Sequence, residues 1–155
     1  IRKNPDTYSR KIIEKLEYIG LVDNISLYDD VILNKSCYHS MELLNIFNKY
    51  KFILCFENSF SDGYITEKIF NCFYSDSIPL YKGAPDIHNY FNEQSFINFN
   101  IDSNIDSNLD YIKKLYINKN LYEEIINSDK IKNSYDDENY KIKFDNFLFV
   151  QSYNI

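Results

Sequence analysis

Between Asn58 and Lys68 the chain gathers an amide, a phenol (Tyr64), a hydroxyl (Thr66), a carboxylate (Glu67) and an ammonium, all within the run FILCFENSFSDGYITEKIF. An apolar strand pattern precedes these residues and a helix pattern opening on Tyr64-Ile65-Thr66-Glu67-Lys68 follows them. That order of elements builds anion sites, because unpaired N–H groups and the positive end of the helix dipole face the space beyond the strand. A lysine in a first helical turn opposes the dipole, so Lys68 calls for a negative partner, and a phosphate would serve. A carboxylate such as Glu67 repels a diphosphate but accepts hydrogen bonds from ribose hydroxyls, whereas an ammonium is a point-charge partner for phosphate. Tyr64 can donate to a phosphate oxygen, Asn58 and Ser59 can bond sugar or base oxygens, Gly63 permits a backbone shape other residues resist, and Thr66 suits the helix cap. Together they suit a nucleotide diphosphate. The plainer reading makes Glu67 a dipole-favoured acid and Lys68 a solvated residue, a single first-turn charge being worth only ~0.3–1 kcal/mol.

The elements that must position this loop are legible as periodicities. Asn4-Pro5-Asp6-Thr7 reads as a turn and cap for an amphipathic helix from Tyr8 to Ile19, ended by Gly20, with Leu21–Asp23 a short strand and Asn24–Cys37 loop-like. Ser40 caps a helix to about Lys49 with Leu43, Leu44 and Phe47 inward, feeding the buried strand Phe52–Phe56. Helix Thr66–Tyr74, strand Ser77–Tyr81, turn Gly83-Ala84-Pro85 and strand Ser95–Phe99 follow. Helices are expected at Asp106–Ile117, with Leu109, Ile112 and Leu115 or Tyr116 buried, and at Leu121–Ser128. A charged connection, Asp129–Asn139, leads to a C-terminal helix Lys141–Val150. Strands alternating with helices predict an α/β domain with a parallel sheet. In such sheets ligands bind beyond the C-terminal strand ends, so the loop Glu57–Gly63 and the turn Lys82–Pro85 should line one cleft.

At 155 residues and 45% hydrophobic content, residues 1–155 are expected to form a single domain with a real core. A net charge of −6 argues against a general nucleic-acid or anionic-membrane binder. Cys37, Cys55 and Cys72 have no zinc-like or CxxC spacing and read as buried free thiols; His39 and His88 read as cap or surface residues. Asp29-Asp30 is not a DxD metal motif, and no obligatory metal or cofactor is expected. No run reaches the ~18–20 apolar residues of a membrane span. The start at Ile1, already entering a helix pattern, suggests part of a longer protein.

From about Leu43 to Asn100 the sequence closely resembles the donor-binding region of the α1,3-fucosyltransferases, glycosyltransferase family 10. The segments FILCFENSFSDGYITEKIF, SIPLYKGAPDI and FNEQSFINF carry the resemblance, and their order and spacing make it specific where a lone TEK would not be. It implies the C-terminal, Rossmann-like half of a GT-B fold, a parallel sheet flanked by helices that binds GDP-fucose. It also implies donor contacts at Asn58, Tyr64, Thr66, Glu67 and Lys68, with Glu67 on the ribose and Lys68 and Tyr64 on the diphosphate. Asn4-Pro5 followed by Arg10 is similar to the family's NPxxxxR segment, so Arg10 would be a second cation on the diphosphate.

The implied reaction is inverting transfer of fucose from the nucleotide-sugar donor to a hydroxyl of a glycan acceptor, α1,3-type. Its general base is a carboxylate of an N-terminal acceptor domain, so no catalytic residue is named in this chain. The alternative is a non-catalytic module that holds a GDP-sugar. A third reading, an α/β domain with no ligand, ranks below both. The resemblance leaves the compartment open: cytoplasmic for a bacterial or viral chain, Golgi membrane for a eukaryotic one.

Overall fold

A computed structural model describes residues 11–12, 14–15, 41–100 and 105–132. Arg10, Asp29-Asp30, Cys37, His39, the expected strand Leu21–Asp23 and the expected helix Lys141–Val150 lie outside these residues, as does most of the expected helix Tyr8–Ile19. The described elements run α1 (Met41–Phe47), β1 (Phe52–Phe56), α2 (Glu67–Phe73), β2 (Ile78–Lys82), 3-10 turns at Ile87–Asn89 and Glu93–Ser95, β3 (Ile97–Asn98), α3 (Ile105–Ile117) and α4 (Lys119–Ile126).

The strands form one parallel sheet in the order β1-β2-β3, with Phe52 opposite Ile78, Phe56 opposite Lys82 and Leu80 opposite Ile97. Alternation along each strand sends side chains to both faces, and both faces are covered. Phe52, Leu54, Phe56, Ile78, Leu80 and Ile97 pack with α3 and α4 through Leu109, Ile112, Leu115 and Ile125, joined by Ile12. Ile53, Cys55 and Tyr81 pack the other way, against Leu43 and Phe47 of α1, Ile69 and Cys72 of α2, and Phe91 and Phe96. The helical stripe of α3 resolves to Leu115, since Tyr116 is 52% exposed. Cys55 and Cys72 are buried and free. Burial pushes the Cys55 thiol well up, and the neighbouring Cys72 thiol adds to the effect.

Of the boundaries that differ from the sequence reading, three have a clear local reason. Ser95 belongs to a 3-10 turn and not to β3, because the Asn92 side chain accepts from Gln94 N while Ser95 Oγ donates to Asn92 O at 2.7 Å. Helix α4 starts at Lys119 because Asn118 caps it, its Oδ1 accepting from Leu121 N. It ends two residues before Ser128, where the Lys130 ammonium donates to the carbonyls of Ile125 and Ile126. Desolvation lowers the Lys130 pKa there.

At the N-terminal edge of the sheet the Tyr122 hydroxyl donates to Asp76 O at 2.7 Å, with Lys51 O at 3.2 Å. Asp76 has φ 25°, a left-handed conformation that a neighbour must help to hold. Burial pushes the Tyr122 phenol up to about 12. Tyr122→Phe is expected to cost about 1 kcal/mol in chemical denaturation. Because the unfolded phenol ionises first, wild-type stability should fall as pH rises from about 10 toward 12, and the variant should lose this share of the slope.

Candidate functional site

The C-terminal ends of the strands converge as expected. Glu57 N donates to Lys82 O at 2.7 Å, so the loop after β1 leaves alongside the turn after β2. Gly63 N, on a residue whose φ of 67° suits glycine, donates to Asp86 Oδ1 at 2.9 Å, and Asp86 Oδ2 accepts from the Tyr90 hydroxyl. Asn100 closes the arrangement from beyond β3: its Oδ1 accepts from Gly83 N at 2.7 Å and its Nδ2 donates to Ala84 O at 2.9 Å. Ala84 N donates to the Tyr81 hydroxyl at 2.9 Å, and burial pushes that phenol's pKa up.

The centre of the site is a residue not singled out from the sequence, Glu57. Its side chain is 0% exposed. Oε1 accepts from Thr66 N at 2.8 Å, the Thr66 hydroxyl lies 3.0 and 2.8 Å from the two carboxylate oxygens, and Oε2 accepts from Lys68 Nζ at 2.9 Å. Lys68 Nζ also donates to Thr66 Oγ1 at 3.1 Å. Two of the three ammonium donors are therefore engaged among the described residues. The Lys68 side chain is 29% exposed, so solvent reaches it.

The amides of the loop that leads into α2 bond within the chain. Gly63 N is taken by Asp86, Tyr64 N by Ser61 O, Ile65 N by Gly63 O and Thr66 N by Glu57. At the start of α2 the chain's own Glu57 carboxylate is a negative partner of Lys68. Thr66 does occupy the cap position, but its hydroxyl makes no capping bond; it faces Glu57 instead. Helix α2 has only seven residues, so its dipole is a minor term.

Asn58 and Tyr64 lie exposed on the loop between β1 and α2, and Glu67 and Lys68 lie half-buried on the first turn of α2. The loop thus brings four of the expected donor residues to one strand-to-helix junction, with Thr66 tied inside it. Arg10 lies outside the described residues. The signal for Glu57 was present: it is an acid ending an otherwise apolar strand, with a T-x-K triplet following on the helix. Gly83 carries a second signal. A Cβ there would stand 2.8 Å from Glu57 Cβ and 2.5 Å from the Tyr81 hydroxyl, so only glycine lets Glu57 lie where it does.

The family model described as glycosyltransferase family 10 (fucosyltransferase) C-term matches residues 3–143. The chain belongs to this family. It is 43% identical to alpha-(1,3)-fucosyltransferase FucT of Helicobacter pylori over 79 residues, 51% of this chain and 16% of that protein. It is 32% identical to GDP-fucose protein O-fucosyltransferase 3 of Xenopus laevis over 125 residues, 78% of this chain and 26% of that protein. A crystal structure of alpha1,3-fucosyltransferase with GDP-fucose matches with a TM-score of 0.60 and 32% identity, over 81% of this chain and 36% of that one. The chain thus spans a minor part of each relative's length. For this family 10 chain the parallel sheet with flanking helices is the Rossmann-like, C-terminal half of the GT-B fold. Among the described residues no group of three or more His, Cys, Asp or Glu converges as metal ligands. No described helix is long and apolar enough to cross a membrane.

Proposed function

We propose that residues 1–155 form the GDP-fucose-binding domain of a fucosyltransferase whose acceptor domain lies outside this chain, and that the whole enzyme transfers fucose with inversion, α1,3-type, to a glycan hydroxyl. The observation that carries this reading is the Glu57–Thr66–Lys68 network at the end of β1, which holds an ammonium at the edge where parallel sheets bind ligands. Lys68 and Tyr64 take the diphosphate, Glu67 the ribose hydroxyls, and Asn58 the donor's remaining polar groups.

Charge supplies a further requirement. Lys68 is balanced by Glu57, and Glu67 adds another negative group beside it, so the described site alone has no surplus of positive charge for a diphosphate. Arg10 fills the role of the second cation. As the sugar–phosphate bond breaks, charge builds on the leaving diphosphate, and these cations with the Tyr64 hydroxyl bind it more tightly than in the ground state. The general base comes from the acceptor domain. No metal is needed for the leaving group in this scheme.

Titration calorimetry of the chain with GDP, GDP-fucose and UDP tests the donor reading. GDP and GDP-fucose are expected to give saturable heats and UDP none. Equal, negligible heats for all three would remove the proposal.

A further inference from the structure

We propose that Glu57 is a positioning residue for the donor diphosphate, acting entirely through Lys68. The inference rests on the donor-binding reading above and goes beyond it, because the Glu57 side chain is fully enclosed behind Lys68 and Thr66.

The argument starts from a conflict of signs. A carboxylate behind a phosphate-binding lysine repels the incoming diphosphate, so by charge alone its removal should tighten binding. Lysine, however, is a flexible side chain that loses rotamer freedom whenever a ligand immobilises it. Here that freedom is already removed. Glu57 Oε2 and Thr66 Oγ1 hold two of the ammonium donors at 2.9 and 3.1 Å, and the third is left for the open side. Thr66 ties the arrangement to the backbone, since its N–H and hydroxyl both meet Glu57, and Gly83 leaves the space in which the carboxylate lies. Such a fixed donor is worth more to a ligand than a mobile one, and the exposed Tyr64 stands on the same loop to complete the phosphate contacts.

The test measures GDP by calorimetry and guanosine by NMR shift titration on wild type, Glu57→Gln, Lys68→Met and the double variant. Glutamine keeps the shape of glutamate and an acceptor for Thr66 but loses the charge. GDP is expected to bind Glu57→Gln about tenfold more weakly, with guanosine unchanged, because only the phosphate arm is affected. In the Lys68→Met background the same substitution should change GDP affinity by less than about twofold. Unchanged or tighter GDP binding by Glu57→Gln overturns the proposal, as does an equal loss for guanosine or an equal loss without Lys68.

Should Glu57→Gln not fold, Thr66→Val removes the hydroxyl between the two charges and keeps the backbone bond. It should weaken GDP about threefold with Lys68 present and not in its absence; no change with Lys68 present overturns the inference. A wild type that binds no GDP overturns the donor reading and this inference together. A wild type that binds while Glu57→Gln binds equally well overturns the inference alone.

Discussion

Gly83→Ala is expected to weaken GDP binding about tenfold or more and to lower stability by about 2–3 kcal/mol, the usual cost of forcing a methyl into a closely packed position. The added carbon would overlap Glu57 Cγ and approach the Tyr81 hydroxyl to 2.5 Å. Neither neighbour can yield cheaply. Tyr81 is 0% exposed and its oxygen accepts from Ala84 N, while Glu57 is held by Thr66 and Lys68. The backbone cannot shift freely either, because Asn100 bonds both Gly83 N and Ala84 O. The displaced group would be Glu57, and with it the ammonium it holds. Urea denaturation and a GDP titration on the same preparation measure both effects, and an unchanged midpoint with unchanged affinity contradicts the packing described here.

Lys68→Met should reduce stability by about 2 kcal/mol, and adding Glu57→Gln should restore part of it. Breaking an enclosed ion pair by removing one partner leaves a charge without compensation, at a cost of ~3–5 kcal/mol when both groups are deeply buried. Lys68 is 29% exposed, so water moderates that figure, whereas the Glu57 side chain is not exposed at all. Thr66 still bonds the stranded carboxylate, which limits the loss further. Neutralising Glu57 in the double variant removes the stranded charge, so the second substitution is stabilising in that background. A solvated surface lysine would behave otherwise: its replacement would leave the denaturation midpoint within error. The cycle therefore decides between the ion-paired and the solvated reading of Lys68 even without a ligand.

Local patterns determined a large part of this protein. The continuous apolar run Phe52–Phe56 and the helical spacing of Leu109, Ile112 and Leu115 are properties of short stretches, so strand, helix and the parallel α/β class follow from residues close in sequence. The ordered segments FENS, YITEK, IPLYKG and SFI likewise identified family 10 without a structure, because their spacing is itself sequence information. Capping competition was harder to read: Asn92 and Asn118 shifted two boundaries by side-chain bonds that propensity does not encode.

Tertiary structure alone decided how the site is charged. Lys68 showed in the sequence that it needed a negative partner, but a phosphate and a carboxylate satisfy the same local rule. Glu57 meets Lys68 because the parallel register of β1 and β2 sets its side chain against Gly83, and the loop then folds Thr66 and Lys68 back onto it. Contacts of that kind depend on strand register and loop closure rather than on the identity of neighbouring residues. For this reason the sequence could name the residues of the proposed diphosphate site but not the enclosed carboxylate beside them.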